Sequence, residues 1–325
     1  MMFGTREPFT YRRCTTCGTL WLPDPPADLG PYYPATYFER VAEAHDAPGH
    51  WLRRTLTKAR IRPVLFGRGE RLGALASHLI DEPPELGPYR PLIMRYGIRS
   101  FSDRILDVGC GWVPARLCTL RKLGFRNLLG VDPFVSHDLV HHGIHVKRCE
   151  LEDVPGSFDV IMFHHSLEHV RDPIATLKAA AAALRPRGRI VVRTPIAGSW
   201  FWDRFGVDWW ELDPPRHLVV FTAQGLKTGA ATIGLELVRQ FYDSSMAEVI
   251  GSEQIARDLA TLEPGSWFVD PGASGYDQAD FDRMAADVRV LNAEGRAGRG
   301  GFEFKRVGPP VVGAAAGAGS GIRTP

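Results

Sequence analysis

Two glycines flank a cysteine in the segment Ile105-Leu-Asp-Val-Gly-Cys-Gly111, directly after a short apolar run. Glycine lets a ligand approach the backbone closely, and a helix after such a turn offers unpaired N–H groups and the positive end of its dipole. Asp132 ends the next apolar run, where a carboxylate can accept both hydroxyl groups of a ribose. The combination indicates a site for a nucleotide or a nucleoside.

A second polar segment, which is rich in aromatic residues, lies at positions 209–217 after a later apolar run. Ligands of α/β folds collect outside the carboxyl ends of the strands, so we expect Trp209, Trp210 and Arg216 to contact an acceptor substrate. Histidine titrates near neutral pH, so His217 is the candidate general base for the proton of an attacking hydroxyl or amine.

Both polar side chains of this segment have a structural alternative. His217 can instead bond a loop carbonyl near the start of the next helix. Arg216 can hold a substrate phosphate or carboxylate in bidentate fashion, or it can pair with Asp213.

The elements that position these residues alternate regularly between strands and helices. The predicted strands are 105–108, 127–131, 145–149, 159–163, 189–193, 236–242 and 302–306. The predicted helices include 114–123, 174–184, 222–233 and one that ends before Gly295. Such alternation predicts a parallel sheet with both faces covered by helices.

Several further motifs occur in order with these elements, and together they resemble the class I S-adenosylmethionine-dependent methyltransferases over residues 100–242. The motifs are Asp107-Val-Gly-Cys-Gly, Gly130-Val-Asp132, Leu151-Glu-Asp-Val-Pro155, Phe158-Asp-Val160, Leu167-Glu-His-Val170 with Asp172-Pro173, and Leu184-Arg-Pro-Arg-Gly188. The resemblance implies a Rossmann-like α/β fold with a seven-stranded, mostly parallel sheet whose last strand is antiparallel. It also implies S-adenosylmethionine as cofactor and methyl transfer as the reaction.

The resemblance places the cofactor on particular residues of this chain. Asp107, Gly109, Cys110 and Gly111 would contact the methionine end. Asp132, with Pro133 beside it, would bind the ribose. Glu150 and Leu151 would hold the adenine, and His164 and His165 would line the methyl-donor pocket.

Val113 departs from the family pattern, which usually has a third glycine at that position. A β-branched side chain there can crowd the methionine carboxylate, so one alternative is a non-catalytic relative that has lost cofactor binding. Pro114 partly answers this, because proline suits the first helical position. A nicotinamide-dependent oxidoreductase is a weaker alternative, because its motif requires glycine at position 114.

Three histidines, His164, His165 and His169, are candidate metal ligands. A metal site of the kind used by some methyltransferases would need carboxylates that converge on the substrate, and the sequence shows no such arrangement. We therefore expect no metal ion there and interpret Glu168 as a structural partner near a helix N-terminus.

The pair Cys14 and Cys17 looks like the second knuckle of a zinc ribbon. A bacterial subgroup of these methyltransferases carries such a ribbon, together with a Pro-Arg-His segment like the one that ends at His217. A structural zinc ion needs four ligands, which His45 and His50 could complete. We expect a truncated remnant without zinc.

The chain is expected to divide into four parts. These are a ribbon-like module (1–50), a basic helical linker or lid (51–100), the methyltransferase domain with an insertion (101–308 and 244–294) and a disordered tail (309–325). The basic helix predicted at 51–61, which should end near Pro63, has three interpretations: a solvated face, recognition of an anionic acceptor, or contact with a membrane surface.

Composition excludes several classes of protein. The net charge of +2 does not favour nucleic-acid binding, and no apolar run approaches the roughly 18 residues that span a bilayer. Five scattered cysteines and an N-terminus without the apolar core of a secretion signal favour the cytoplasm. The expected partner is a small-molecule acceptor, anionic or sugar-linked by analogy with the subgroup, with oxygen, nitrogen and carbon all open as the methylated atom.

Overall fold

A computed structural model of the chain describes residues 5–33 and 51–308. Across these two ranges, no helix is both long enough and apolar enough to cross a membrane. The tail at 309–325, His45 and His50 lie outside the described residues.

The centre of the molecule is a mixed α/β Rossmann-like sheet of eight strands. In chain order they are β3 (Ile105–Val108), β4 (Leu128–Val131), β5 (Leu139–His141), β6 (Ile144–Lys147), β7 (Phe158–His164), β8 (Leu184–Pro195), β10 (Leu235–Tyr242) and β11 (Arg299–Arg306). The remaining three described strands, β1 (Arg12–Arg13), β2 (Leu20–Trp21) and β9 (Val219–Val220), belong to a second, smaller sheet. The order of the eight strands across the main sheet is β10-β11-β8-β7-β3-β4-β6-β5. β3 pairs in parallel with both β4 and β7, so the glycine-containing turn after β3 lies at the middle of the sheet.

Helices cover both faces of this sheet. They are α1 (Trp51–Phe66), α2 (Glu70–Ser77), α3 (Leu86–Arg95), α4 (Ala115–Lys122), α5 (Pro173–Ala182), α6 (Trp200–Phe205), α7 (Ala223–Thr232), α8 (Met246–Ile255) and α9 (Gln278–Glu294). Side chains alternate along a strand, so Ile105 packs in the cluster that includes α1, α3 and α4, whereas Leu106 packs in the cluster that includes α5 and α7.

The expected antiparallel strand is confirmed, but the expected number of strands is wrong. β11 returns late in the chain and inserts between β8 and β10, antiparallel to both. The eighth strand is β5, which pairs antiparallel with β6 at the edge of the sheet. His142 and Gly143 both have positive φ, 48° and 71°, as a two-residue type I′ hairpin turn requires. β5 has only three residues, of which Val140 is exposed and the other two are half-buried. Such a short strand gives no recognisable alternation of apolar and polar side chains.

The expectation that the first helix ends near Pro63 is wrong. α1 continues through Pro63 to Phe66, and residues 86–95 form α3, which contains Pro88 and Pro91. Tertiary packing outweighs the cost of the proline in α1, because a Cβ on Gly73 of α2 would lie only 2.6 Å from the Pro63 ring. Pro88 lies in the first turn of α3, where the backbone N–H would have no helical partner.

The N-terminal residues are built into the rest of the molecule by a small second sheet. β1 (Arg12–Arg13) and β2 (Leu20–Trp21) form a hairpin, and β2 pairs with β9 (Val219–Val220). Thr222, which caps α7 as expected, also donates its hydroxyl to the carbonyl of Cys17 over 2.7 Å. The turn from Cys14 to Cys17 is therefore hydrogen-bonded to the segment that follows His217.

The expected insertion after β10 contains α8 and α9. α9 starts with a capping box on Asp277 and ends at Gly295, whose φ of 73° suits a helix C-cap, so the end expected before Gly295 is confirmed. Apolar side chains of both helices pack with Phe201, Trp209 and Leu212 in a separate core cluster. The insertion thus covers the segment that precedes His217.

Candidate active site

The turn after β3 takes its shape from its glycines. Gly109 and Gly111 have φ of +73° and +69°, which L side chains rarely adopt. A Cβ on Gly109 would lie 2.4 Å from Cβ of Ser166, whereas a Cβ on Gly111 would meet open space. Cys110 is buried against Gly130. Gly109 therefore brings the backbone close to the end of β7, and Gly111 leaves a ligand room to approach.

Asp132 connects the end of β4 to this turn. Its Oδ2 accepts from the N–H of Gly111 over 2.9 Å, and its Oδ1 accepts from the N–H of Phe134 over 2.8 Å. Burial raises the pKa of the carboxyl, and these two N–H groups act in the opposite direction. Each carboxylate oxygen has a second lone pair, so the acid can accept further hydrogen bonds from hydroxyl groups.

Asp107 lies in β3 just before the turn and is 1 % exposed. Burial raises its pKa to about 6, although the nearby Arg116 lowers it. Among the described residues, nothing hydrogen-bonds to its Oδ2. A buried oxygen without a hydrogen bond lowers the stability of the folded chain, and a hydrogen-bond donor from a ligand would remove that cost.

The end of β6 supplies the next pair of predicted residues. Leu151 begins a short 3-10 helix and is buried in the core, while Glu150 is exposed at its N-cap. Pro133 is half-buried, and the ring of the following residue, Phe134, is 69 % exposed. Phe134 was not among the predicted site residues, although it is an aromatic residue directly after the acid-proline pair.

His164 and His165 lie at the end of β7, beside the glycine turn, and both contact Arg193. Nε2 of His164 accepts from the Arg193 guanidinium over 2.9 Å, and its Nδ1 lies 3.0 Å from the Tyr96 hydroxyl. His165 has a φ of 55° and hydrogen-bonds Arg193 through Nε2. Burial, and then the positive charge of Arg116 or Arg193, lowers the pKa of both histidines well below its usual range. Both effects favour the neutral form of the rings.

Glu168 lies four residues beyond the end of β7 and is completely buried. Its Oε2 accepts from the hydroxyl of Thr194 over 3.0 Å, and its Oε1 lies 3.2 Å from Nδ1 of His165 without a hydrogen bond. Burial raises the pKa of this carboxyl to about 8. Its backbone carbonyl accepts from the N–H of Leu218 over 2.7 Å, which ties the segment to the loop that carries His217.

The two predicted tryptophans point into the insertion. Trp209 is 1 % exposed and donates from Nε1 to Oε1 of Glu248 over 2.9 Å. Trp210 stacks on Phe268 with ring centroids 5.1 Å apart and donates to the hydroxyl of Thr261. Their indole groups hold the insertion against the loop, so any contact with an acceptor stays a prediction.

Arg216 and His217 are both almost completely buried. Arg216 forms an ion pair with Asp213, the structural alternative that its sequence left open. The Nδ1–H of His217 donates to the carbonyl of Glu211 over 2.8 Å, so the lone pair of the neutral ring is on Nε2. Nε2 lies 4.0 Å from Oε1 of Glu168, and burial lowers the pKa of the imidazole to about 3.

Residues from the N-terminal module contact the same loop. The hydroxyl of Tyr11 donates to the carbonyl of His217 over 2.5 Å, and the ring of Tyr33 lies 5.1 Å from the Arg216 guanidinium. No local motif joins Tyr11, Glu168 and Arg193, so the sequence did not predict that they belong to one assembly.

Comparisons with known proteins agree with this arrangement at the level of the family. A family model described as a methyltransferase domain matches residues 59–240, more than half of the 325 residues. A ubiquinone biosynthesis O-methyltransferase of Bradyrhizobium diazoefficiens is 35 % identical over 102 residues, 28 % of this chain and 39 % of that protein. One from Xanthomonas euvesicatoria is 30 % identical over 151 residues, 39 % of this chain and 62 % of that protein. The chain thus spans less than two thirds of the length of these curated relatives.

Among solved structures, a geranyl diphosphate methyltransferase in complex with S-adenosylmethionine has a TM-score of 0.44 at 14 % identity, over 74 % of this chain and 90 % of that one. A sarcosine dimethylglycine methyltransferase from Galdieria sulphuraria has a TM-score of 0.42 at 16 % identity, over 72 % of this chain and 87 % of that one.

Proposed function

The chain belongs to the family of methyltransferase domains and is a methyltransferase, and from this premise we propose that it transfers the methyl group of S-adenosylmethionine to a hydroxyl oxygen of a small molecule. The O-methyltransferase names of the relatives in Bradyrhizobium and Xanthomonas support oxygen as the acceptor atom. The helix α1 supports an anionic or sugar-linked acceptor, because it carries five basic residues and no acidic one.

The observation that carries the proposal is the buried Oδ2 of Asp107, beside an open glycine turn, which lacks a donor from residues 5–33 and 51–308. The amino group of the methionine moiety is a positively charged donor of the kind that a buried carboxylate prefers. A ligand there would satisfy Asp107, while Gly109, Cys110 and Gly111 leave the backbone accessible to its carboxylate end.

The neighbouring strand ends extend this site for the rest of the cofactor. Asp132, with Pro133, is proposed to bind the ribose hydroxyls through its remaining lone pairs. Glu150 and Leu151 are proposed to flank the adenine. The neutral rings of His164 and His165 are proposed to line the space where the methyl group is transferred.

When bound, S-adenosylmethionine supplies an electrophilic methyl group on a positively charged sulfur, and the acceptor oxygen forms its bond to carbon as the carbon–sulfur bond breaks. The protein contributes position and exclusion of water. His217 is proposed to take the proton of the acceptor hydroxyl on Nε2. The Glu211 carbonyl holds the ring in the required tautomer, and Glu168, 4.0 Å from Nε2, is proposed to stabilise the resulting imidazolium in its ionised form.

Calorimetry with S-adenosylhomocysteine tests the cofactor part of the proposal. We expect saturable binding to the full chain, at least tenfold weaker in Asp107→Asn and unchanged in Asp287→Asn, which alters an exposed carboxylate of α9. Absence of binding at millimolar ligand would refute the proposal, and tighter binding of NADH would favour an oxidoreductase.

The chemical part is tested by measuring release of S-adenosylhomocysteine with a panel of hydroxylated small molecules. A product methylated on oxygen supports the proposal. A product methylated only on nitrogen or carbon would refute the assignment of the acceptor atom while leaving methyl transfer intact.

A further inference from the structure

Three side chains from two distant segments converge beside the proposed methyl-transfer pocket. Glu168, His169 and His217 each offer a metal-ligating atom, and these three atoms lie within 4.8 Å of one another. The first two follow β7 and the third comes from the loop after β8. Two imidazoles and one carboxylate form a ligand set that binds divalent transition metals such as Zn²⁺, Fe²⁺ and Co²⁺.

Both histidines are oriented in the way that metal ligands usually are. Nδ1 of His169 lies 2.9 Å from the carbonyl of Arg216, and Nδ1 of His217 lies 2.8 Å from the carbonyl of Glu211. A backbone carbonyl that accepts from one ring nitrogen places the proton there and leaves the other nitrogen as the ligand. Thr194 does the same for Glu168, because it donates to Oε2 and leaves Oε1 toward the cluster.

The atoms that face one another in this cluster do not satisfy one another. Nε2 of His217 lies 4.0 Å from Oε1 of Glu168 and 3.9 Å from Oδ2 of Asp213, too far for hydrogen bonds. A neutral Nε2 and the two carboxylate oxygens all present lone pairs, although Oδ2 of Asp213 also pairs with Arg216. Oε1 of Glu168 is buried without a hydrogen bond in the described part of the chain, with Nδ1 of His165 3.2 Å away. A cation between Nε2 and the two oxygens would meet a lone pair from each side. The ligand atoms of a tetrahedral zinc ion are about 3.4 Å apart, so the longest separation in the cluster, up to 4.8 Å, needs to contract by up to about 1.4 Å.

The surrounding charges favour a divalent cation as well. The contacts around the cluster form one network of ion pairs and hydrogen bonds within residues 5–33 and 51–308. Its carboxylates are Glu168, Glu211, Asp213, Asp243 and Glu248, and its guanidinium groups are those of Arg193, Arg216 and Arg299. Five acids against three arginines place an excess of acidic groups in a largely buried region, and a buried charge is costly without a partner.

We propose that Glu168, His169 and His217 bind one divalent transition-metal ion, with the remaining coordination positions left to water or to the acceptor hydroxyl. This deepens the proposed function and rests on it for the role of the ion, although the site itself depends only on the three side chains. A metal-bound hydroxyl loses its proton more easily than a free one. Nε2 of His217 cannot hold the ion and accept the proton at the same time, so the ion would replace His217 as the cause of deprotonation and the proton would pass to solvent water.

The first measurement is the metal content and affinity of the full chain after treatment with a chelator. We expect one Zn²⁺ per chain on titration, and competition from Co²⁺, whose visible spectrum reports the ligand type. The Cys14→Ser/Cys17→Ser double variant removes the only other candidate knuckle proposed from the sequence. It should still bind one Co²⁺ and give a spectrum with nitrogen and oxygen ligands only. Failure of that variant to bind Co²⁺ overturns the proposal without depending on any change in the cluster.

The second measurement uses variants of the cluster. His169→Gln, His217→Gln and Glu168→Gln should each weaken Zn²⁺ binding at least tenfold, while His145→Gln on the exposed face of β6 should not change it. Circular dichroism shows which variants keep the native fold. Undiminished binding in folded His169→Gln and His217→Gln proteins would also overturn the proposal.

Binding of S-adenosylhomocysteine to the same samples separates the two proposals. Cofactor binding without metal binding refutes the metal site alone. Metal binding without cofactor binding refutes the proposed cofactor and keeps the site.

Discussion

The glycine turn after β3 and the buried network around Glu168 and His217 lie side by side, yet they are built in different ways. The turn comes from one short segment, and its shape depends on the backbone of Gly109 and Gly111. The network joins side chains from β7, β8, the loop after β8, the insertion and β11, with Tyr11 of the N-terminal module behind it.

The two regions therefore tolerate different amino-acid substitutions. A site made of backbone fails when a side chain is added, whereas a site made of buried charges fails when a partner is removed. The turn is suited to a ligand with constant structure, such as a cofactor. The network, assembled from several distant segments of the chain, is the proposed acceptor side.

The largest expected effect comes from adding a side chain to the turn. Gly109→Ala places a Cβ 2.4 Å from Ser166 in a left-handed conformation, so we expect the free energy of unfolding to fall by about 3 kcal/mol. Gly111→Ala has the same conformational cost without the clash and should lose about 1 kcal/mol. Urea denaturation of both variants measures this, and equal losses would contradict the claim that Gly109 is packed against β7.

His217→Asn tests whether the network acts on turnover and not on cofactor binding. We expect turnover to fall about 100-fold with unchanged affinity for S-adenosylhomocysteine, because the side chain acts on the acceptor and does not contact the glycine turn. Steady-state kinetics and calorimetry measure the two quantities. Unchanged turnover would remove His217 from the chemistry, and His145→Asn serves as the exposed control.

The raised pKa of Asp107 predicts that cofactor affinity at the glycine turn depends on pH. Burial raises that pKa to about 6, and a cofactor amino group favours the ionised carboxylate. Affinity for S-adenosylhomocysteine should therefore rise about tenfold between pH 5 and pH 7, then level off. Asp107→Asn should bind weakly with a flat profile over this range, and a persistent rise in that variant would assign the titration to another group.

The pKa of Asp107 also has a consequence for stability. Because its folded pKa is raised above the unfolded value, its contribution is fully present below the unfolded pKa of about 4 and is lost as pH rises through about 6. Urea denaturation at pH 5 and pH 7 should show a smaller decrease in Asp107→Asn than in the wild-type chain.

The smallest expected effect tests whether the N-terminal module supports the network. Tyr11→Phe removes the hydrogen bond to the carbonyl of His217 and should cost about 1 kcal/mol of unfolding free energy. Turnover should fall more than cofactor affinity, since the loop and not the turn is loosened. Tyr32→Phe, which removes an exposed hydrogen bond to Glu7, is the matched control.

Most regular elements of the methyltransferase domain could be predicted from the sequence, because their signals are local. The apolar run of β3, the cap at Thr222 and the stop at Gly295 each depend on a few neighbouring residues. The helix through Pro63 and the hairpin strand β5 could not, because contacts with α2 and with the sheet edge outweigh the local preferences.

The positions of the site residues divide in the same way. By itself the sequence determined the cofactor-side candidates, since glycines and an acid at the ends of adjacent parallel strands must meet at one edge of the sheet. Only the tertiary structure decided that Arg216 pairs with Asp213, that Trp209 and Trp210 face the insertion, and that His217 meets Glu168 and His169. The reason is physical: a strand end is placed by backbone pairing over a few residues, whereas a buried side chain is placed by every segment that packs around it.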